Sequence, residues 1–111
     1  MKLKSKIRFA NKKVKKEFYQ LQNGTHEDQE LFFQINKTLV VLETNVFSGV
    51  QIPKKLIPEI YIKKYEITNV WKYNLPCGWR LIYSIVKDEI IVSGLVIEWF
   101  DPKSYERRFK Y

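Results

Sequence analysis

Apolar residues along this chain recur first at helical and then at strand spacing, and the change comes near residue 50. Leu3, Ile7 and Phe9 alternate weakly over residues 2–10, which predicts a short first strand. Asn11 then offers an N-cap, and Val14, Phe18 and Leu21 fall at i, i+4 and i+7 until Asn23-Gly24 ends the stripe. Thr25 and Asp28 have the spacing of a capping box, with Glu27 and Asp28 suited to the positive end of a helix. A second helix is predicted from about His26 to about Phe47, its stripe formed by Leu31, Phe32, Ile35, Leu39, Leu42 and Val46. Phe33, Val40 and Phe47 widen that stripe, and Ser48-Gly49 stops it. Two helices joined by so short a loop predict an antiparallel hairpin.

The second half reads as strands. After an irregular passage over residues 53–58 come candidates at 61–65, 70–74, 79–86 and 89–99, with Lys87-Asp88 as a hairpin turn between the last two. Gly94 predicts a bulge or a close backbone approach. Period-2 alternation puts Trp79, Leu81 and Tyr83 on one face and Arg80 with Ile82 on the other, so a cation stands on a pleated surface among apolar neighbours. The polar, aromatic tail over 101–111 predicts a turn or helical cap anchored by Tyr105 and Phe109. The expected architecture is α+β: an N-terminal antiparallel helical hairpin packed on one face of a mainly antiparallel sheet, in a single domain over residues 1–111.

Charge adds a partner class. Residues 1–23 carry eight Lys and Arg against Glu17, 24–52 carry Lys37 against four acids, and 53–111 carry eleven bases against seven acids, so the net +8 splits as +7, −3 and +4. Two basic regions flank an acidic belt, a balance suited to RNA, DNA or an acidic protein, or simply to a solvated surface. Lys12 and Lys13 on the first helix, Lys54 and Lys55 after Pro53, and Lys63 and Lys64 are the candidate RNA-binding residues.

The chemistry that the residues exclude is broad. Cys77 is the one cysteine, which leaves no internal disulfide, and a lone His26 leaves no zinc set, so neither metal nor cofactor is expected. No apolar run approaches the roughly 20 residues of a membrane span, and no apolar region follows the lysine-rich start as in a signal peptide, so a cytoplasmic protein without a membrane partner is expected. Phosphate-binding glycine loops and nucleophile elbows are absent. Glu98 and Asp101, beside Arg107 and Arg108, read as a salt-bridge cluster rather than as general acids or bases.

One stretch carries more. Lys72-Tyr73-Asn74-Leu75, a Pro-Cys-Gly turn, Trp79-Arg80-Leu81-Ile82-Tyr83 and then Lys87-Asp88-Glu89-Ile90-Ile91-Val92 resemble the C-terminal half of RelE/ParE-superfamily toxins. The order of two helices before a sheet resembles that superfamily too, and the WRLIY run with the ending Tyr105-Glu106-Arg107-Arg108-Phe109 is most similar to archaeal RelE-like members.

The resemblance implies a toxin of a type II toxin–antitoxin system. In the RelE branch this is an endoribonuclease that cuts mRNA on the ribosome without a metal, and its partners are an acidic, partly disordered antitoxin, the ribosome and mRNA. Arg80 matches the strand arginine that clamps the scissile phosphate. Lys72 would add charge or help move a proton, Tyr105 would stack on a base or act as general base, and Lys103 would assist. The chain departs from the pattern twice: Glu98-Trp99-Phe100-Asp101 stands where a second arginine is found, and Pro102 precedes Lys103 where archaeal relatives have histidine. Other readings stay open. Arg80 also suits a cross-strand pair with Glu98, Lys72 a solvated strand position, Tyr105 a tail anchor, and Trp71, Trp79 and Trp99 sheet packing. The functional alternatives are a ParE-type gyrase-inhibiting toxin and a non-catalytic module that binds RNA or an antitoxin.

Overall fold

The computed structural model describes residues 5–87 and 92–109. The chain is α+β, with five strands, β1 (Lys6–Phe9), β2 (Val50–Gln51), β3 (Trp71–Asn74), β4 (Arg80–Lys87) and β5 (Val92–Phe100), in one sheet of order β1-β5-β4-β3-β2. Three neighbouring pairs are antiparallel, and β1 runs parallel to β5. Four α-helices accompany them among the described residues: α1 (Lys12–Gln20), α2 (His26–Thr44), α3 (Glu59–Tyr65) and α4 (Pro102–Phe109).

Local rules account for most boundaries. The Asn11 side chain accepts from the Val14 N–H at 2.9 Å and starts α1. Thr25 and Asp28 form the reciprocal capping box, at 3.1 and 3.0 Å, and start α2. α2 ends at Thr44, three residues before the expected stop, because Asn45 turns to extended backbone and its side chain accepts from the Phe47 N–H at 3.1 Å, opening a 3-10 turn over Val46–Ser48. Val46 is thereby buried and Phe47 is turned onto Trp71, ring centroids 5.7 Å apart.

The strand expected at 61–65 is α3 instead. Pro58 precedes it, Glu59 lies in its first turn and Lys63 and Lys64 in its last, which suits the helix dipole. Ile60 and Ile62 are exposed, while Tyr61 is buried. Glu66 closes α3 in the left-handed region, φ 53°. The turn residue Asp88 and the strand positions 89–91 lie outside the described residues, as do 2–4 at the start and 110–111 at the end.

Both faces of the sheet are covered, not one. Leu81, Tyr83, Ile85 and Val96 face α1 and α2 and pack with Val14, Phe18, Leu31, Ile35, Leu39, Leu42 and Val46. Phe18 of α1 stacks on Phe32 of α2 at 4.5 Å. Ile82 and Ile97 belong to a second core with Ile52, Tyr61, Ile67, Val70, Tyr105 and Phe109, contributed largely by α3, α4 and the loops beside them. The expected alternation therefore holds on β4, with Trp79, Leu81 and Tyr83 on the first core and Ile82 on the second. Trp71, Trp79 and Trp99 are half-buried against the first core.

The irregularity expected at Gly94 lies elsewhere. The β4–β5 register slips between Ile82 and Tyr83, so that Glu98 pairs with Ile82 and Val96 with Tyr83. Ile97 is the extra residue of a bulge, and both it and Glu98 contribute to the α3/α4 side. At Gly94 the close approach comes from side chains: a Cβ there would stand 2.8 Å from Ile7 Cδ1 and 3.0 Å from Val46 Cγ2.

Tyr83 locks the first core to the end of α2. Its hydroxyl donates to the Val46 carbonyl at 2.8 Å and accepts from the Gly49 N–H at 3.0 Å. Burial, partly offset by the Gly49 N–H, pushes this phenol up to about 12. The folded state thus keeps the proton longer than the unfolded chain, so the stability it confers is complete below pH 10 and is lost as pH rises toward 12. Tyr83→Phe should cost about 1–3 kcal/mol at neutral pH, since two backbone groups lose their partner. Its stability should also decline less steeply than wild type between pH 10 and 12, as measured by urea unfolding across that range.

Candidate functional site

The turn between β3 and β4 positions the strand arginine. Pro76–Gly78 forms a 3-10 turn, and Gly78 has φ +86°, a conformation that side chains rarely adopt. A Cβ there would also lie 3.0 Å from Pro102 Cγ, so the start of α4 rests directly on this turn. Arg80 follows, and its Nη1 donates to the Gly78 carbonyl at 2.5 Å and to the Trp79 carbonyl at 3.3 Å. Its Nε is buried with no acceptor among the described residues. An N–H in that state costs free energy until an acceptor meets it.

Register brings Lys72 to the same neighbourhood. Lys72 pairs with Ile82 and Asn74 pairs with Arg80, so Lys72, Asn74, Arg80 and Ile82 share the face that α4 covers. Tyr105 comes down from α4 beside both cations. Lys72 Nζ lies 5.1 Å and Arg80 Cζ 5.8 Å from the centre of its ring. Tyr105 is buried, 4 % exposed, and Phe109 one turn later stacks beside it at 4.8 Å. The tail is therefore both anchor and site wall.

Arg80 does not pair with Glu98. Phe100 is its cross-strand neighbour, and the bulge carries Glu98 toward α3 and α4. There Glu98 accepts a short hydrogen bond from the Tyr61 hydroxyl and lies 4.0 Å from Arg108. Burial first, and then the Glu98 carboxylate, raise the Tyr61 phenol well above its ordinary value, so it stays a donor. Arg108 also stands over the rings of Tyr61 and Phe100, at 5.8 and 5.7 Å. Strand β5, α3 and α4 are thus tied at one point. Tyr61→Phe should lower stability by about 1–3 kcal/mol in urea unfolding, because Glu98 keeps only its partly exposed contact with Arg108.

The expected salt-bridge cluster is only half of what was read from sequence. Arg108 does meet Glu98, whereas Asp101 caps α4, accepting from the Ser104 N–H at 2.8 Å. That bond is the main cause holding the Asp101 carboxyl below its usual range. Lys103, in the first turn of α4, is exposed.

The candidate RNA-binding lysines are not brought together. Lys12 and Lys13 follow β1 at one edge of the sheet, and Lys54 and Lys55 follow β2 at the other. Lys63 and Lys64 lie on α3, Lys63 at 3.8 Å from Glu59 and Lys64 over the Tyr65 ring at 5.4 Å. The six lysines therefore form separate patches, of which Lys54, Lys55, Lys63 and Lys64 are on segments beside the second core. No family model, curated protein or solved structure matches this chain.

Among the described residues no set of His, Cys, Asp and Glu is grouped to hold a metal ion, and no helix is long and apolar enough to cross a membrane. What the site offers is two cations and a phenol on a half-covered sheet face. Such a group can bind a phosphodiester and stabilise charge that grows on it. Sequence reading found Arg80, Lys72 and Tyr105 and grouped Glu98 with Arg108, but missed Tyr61, whose relation to Glu98 depends on a bulge that leaves no sequence mark beyond an apolar run.

Proposed function

We propose that this chain is a toxin of a type II toxin–antitoxin system with a RelE-like fold, its α1–α2 pair acting as the helical hairpin, and that it is a metal-independent endoribonuclease cleaving mRNA on the ribosome. The observation that carries this reading is the convergence of Lys72, Arg80 and Tyr105, from three separate elements. In the reaction the 2′-OH of one nucleotide attacks the adjacent phosphorus, the bond to the 5′-oxygen breaks, and a 2′,3′-cyclic phosphate results. Tyr105 takes the proton of the 2′-OH. Arg80 stabilises the charge on the phosphoryl oxygens, and Lys72 adds to that field and returns a proton to the leaving oxygen. Lys103, exposed on the first turn of α4, guides the strand.

The cognate antitoxin is an acidic, partly disordered protein encoded beside this chain, and the cellular site of action is the cytoplasm. The test is induced expression with cleavage mapping on translating ribosomes. Growth arrest with new ends inside ribosome-bound messages supports the reading, and intact messages in arrested cells defeat it. Intact messages with blocked DNA supercoiling select a ParE-type toxin, and neither effect selects a non-catalytic binding module.

A further inference from the structure

Beside the Lys72–Arg80–Tyr105 cluster runs a groove of ≈ 700 Å³ between residues 55–60 and α4. Lys55, Arg107 and Arg108 line it, with the Ser104 hydroxyl, and Glu59 is the acid in its wall. Among the residues that line the groove three cations, Lys55, Arg107 and Arg108, outnumber one carboxylate, Glu59, which is near Lys63 at 3.8 Å, while Arg108 also reaches Glu98 at 4.0 Å. Ile57, Ile60 and Phe100 supply an apolar wall. The composition is that of a track for a charged backbone carrying flat, apolar groups.

We propose that this groove is a second anion site, which holds the flanking phosphodiesters of the single-stranded RNA whose scissile phosphate lies at Arg80. The inference rests on the nuclease reading for the identity of its strand, and the groove's own geometry supplies the rest. Two features join the sites. Phe100, in the groove wall, is the cross-strand neighbour of Arg80. Tyr105 and Arg108 lie three residues apart on α4, less than one turn, or roughly 4.5 Å along its axis. A strand held at Arg80 therefore leaves along the side of α4 toward Arg108, Arg107 and Lys55. Phosphate contacts from Arg107, Lys55 and Ser104 add affinity without base preference, and Phe100 and Ile57 accept a base or ribose. Sequence reading placed Lys55 among RNA-binding residues but gave Arg107 and Arg108 to ion pairing alone.

The probes are 2′-O-methyl oligonucleotides of three and ten nucleotides, which lack the attacking hydroxyl, followed by fluorescence anisotropy. Lys55 and Arg107 are both exposed, so the Lys55→Ala/Arg107→Ala double variant should keep the wild-type melting temperature. It should bind the decamer roughly tenfold more weakly, with a salt slope smaller by about 1.4 for two lost phosphate contacts. Its affinity for the trinucleotide should match wild type. Arg107→Glu should weaken the decamer further.

Equal decamer affinity and an unchanged salt slope in the double variant would overturn the proposal. So would displacement of the decamer by poly-glutamate as readily as by unlabelled decamer, which would make an acidic protein the occupant. The nuclease reading fails separately. A wild type that cuts no message, together with a double variant that still loses the decamer, removes the nuclease and supports the groove. A wild type that cuts, together with an unaltered double variant, does the reverse.

Discussion

Arg80→Ala should lower cleavage of ribosome-bound mRNA by about 10²- to 10³-fold, the loss typical of removing one preorganised donor from a developing anion. Arg80 is singular because its surroundings have already oriented it. The Gly78 and Trp79 carbonyls hold Nη1, the Tyr105 ring flanks the guanidinium, and the buried Nε has no acceptor among the described residues. Arg80→Lys keeps the charge but loses the planar fork, and should recover only a small part of the rate. Because Glu98 is held by Tyr61 and Arg108 instead, neither substitution strands a carboxylate, and thermal melting should change little. Undiminished cleavage by a folded Arg80→Ala protein would remove Arg80 from the reaction. Tyr105→Phe, which keeps the ring under both cations and deletes only the hydroxyl, separates proton transfer from packing.

Phe109→Ala should cost about 3–5 kcal/mol, the usual range for emptying a buried aromatic site. Phe109 is 2 % exposed, and its ring meets Tyr105 at 4.8 Å and Tyr61 at 6.1 Å, so it fixes α4 to α3 as well as to the sheet. Domains of this size are stable by only about 5–15 kcal/mol, and the loss should appear as a fall on the order of 15 °C in melting temperature. The functional consequence follows from the same helix. When α4 loosens, Tyr105 leaves Lys72 and Arg80, and RNA binding should weaken even at temperatures where the protein is folded. A decrease under about 1 kcal/mol would show that α4 gains little from this ring.

Several local features were legible because they depend on neighbours within one turn. Asn11 and the Thr25–Asp28 pair satisfy N–H groups three residues away, and Tyr105 and Phe109 lie on one side of a helix by spacing alone. Strand parity on β4 placed Arg80 and Ile82 apart from Leu81 and Tyr83. The failures share a physical cause as well. Residues 61–65, Tyr-Ile-Lys-Lys-Tyr, are too short a span to separate period 2 from period 3.6, and capping by Pro58, Glu59 and Glu66 decides for the helix. The open reading of an Arg80–Glu98 cross-strand pair fails because Arg80 stands opposite Phe100, and Glu98, set by the bulge at Ile97 opposite Ile82, goes to Tyr61 and Arg108.

By itself the sequence determined an α+β chain with two capped N-terminal helices, an aromatic-rich pair of strands joined at Gly78, an anchored tail, and an arginine on the face of β4 opposite Leu81 and Tyr83. These properties follow from backbone capping, side-chain periodicity and the left-handed turn, all of short range. Only the tertiary structure decided that both sheet faces are covered, that β1 joins β5 in parallel, and that Lys72, Arg80 and Tyr105 meet while Lys12 and Lys13 follow one edge strand and Lys54 and Lys55 the other. Those outcomes depend on strand order and on one register slip. Both arise from the packing of residues more than thirty positions apart, as in the Tyr61–Glu98 and Tyr83–Val46 bonds, and no local pattern encodes them.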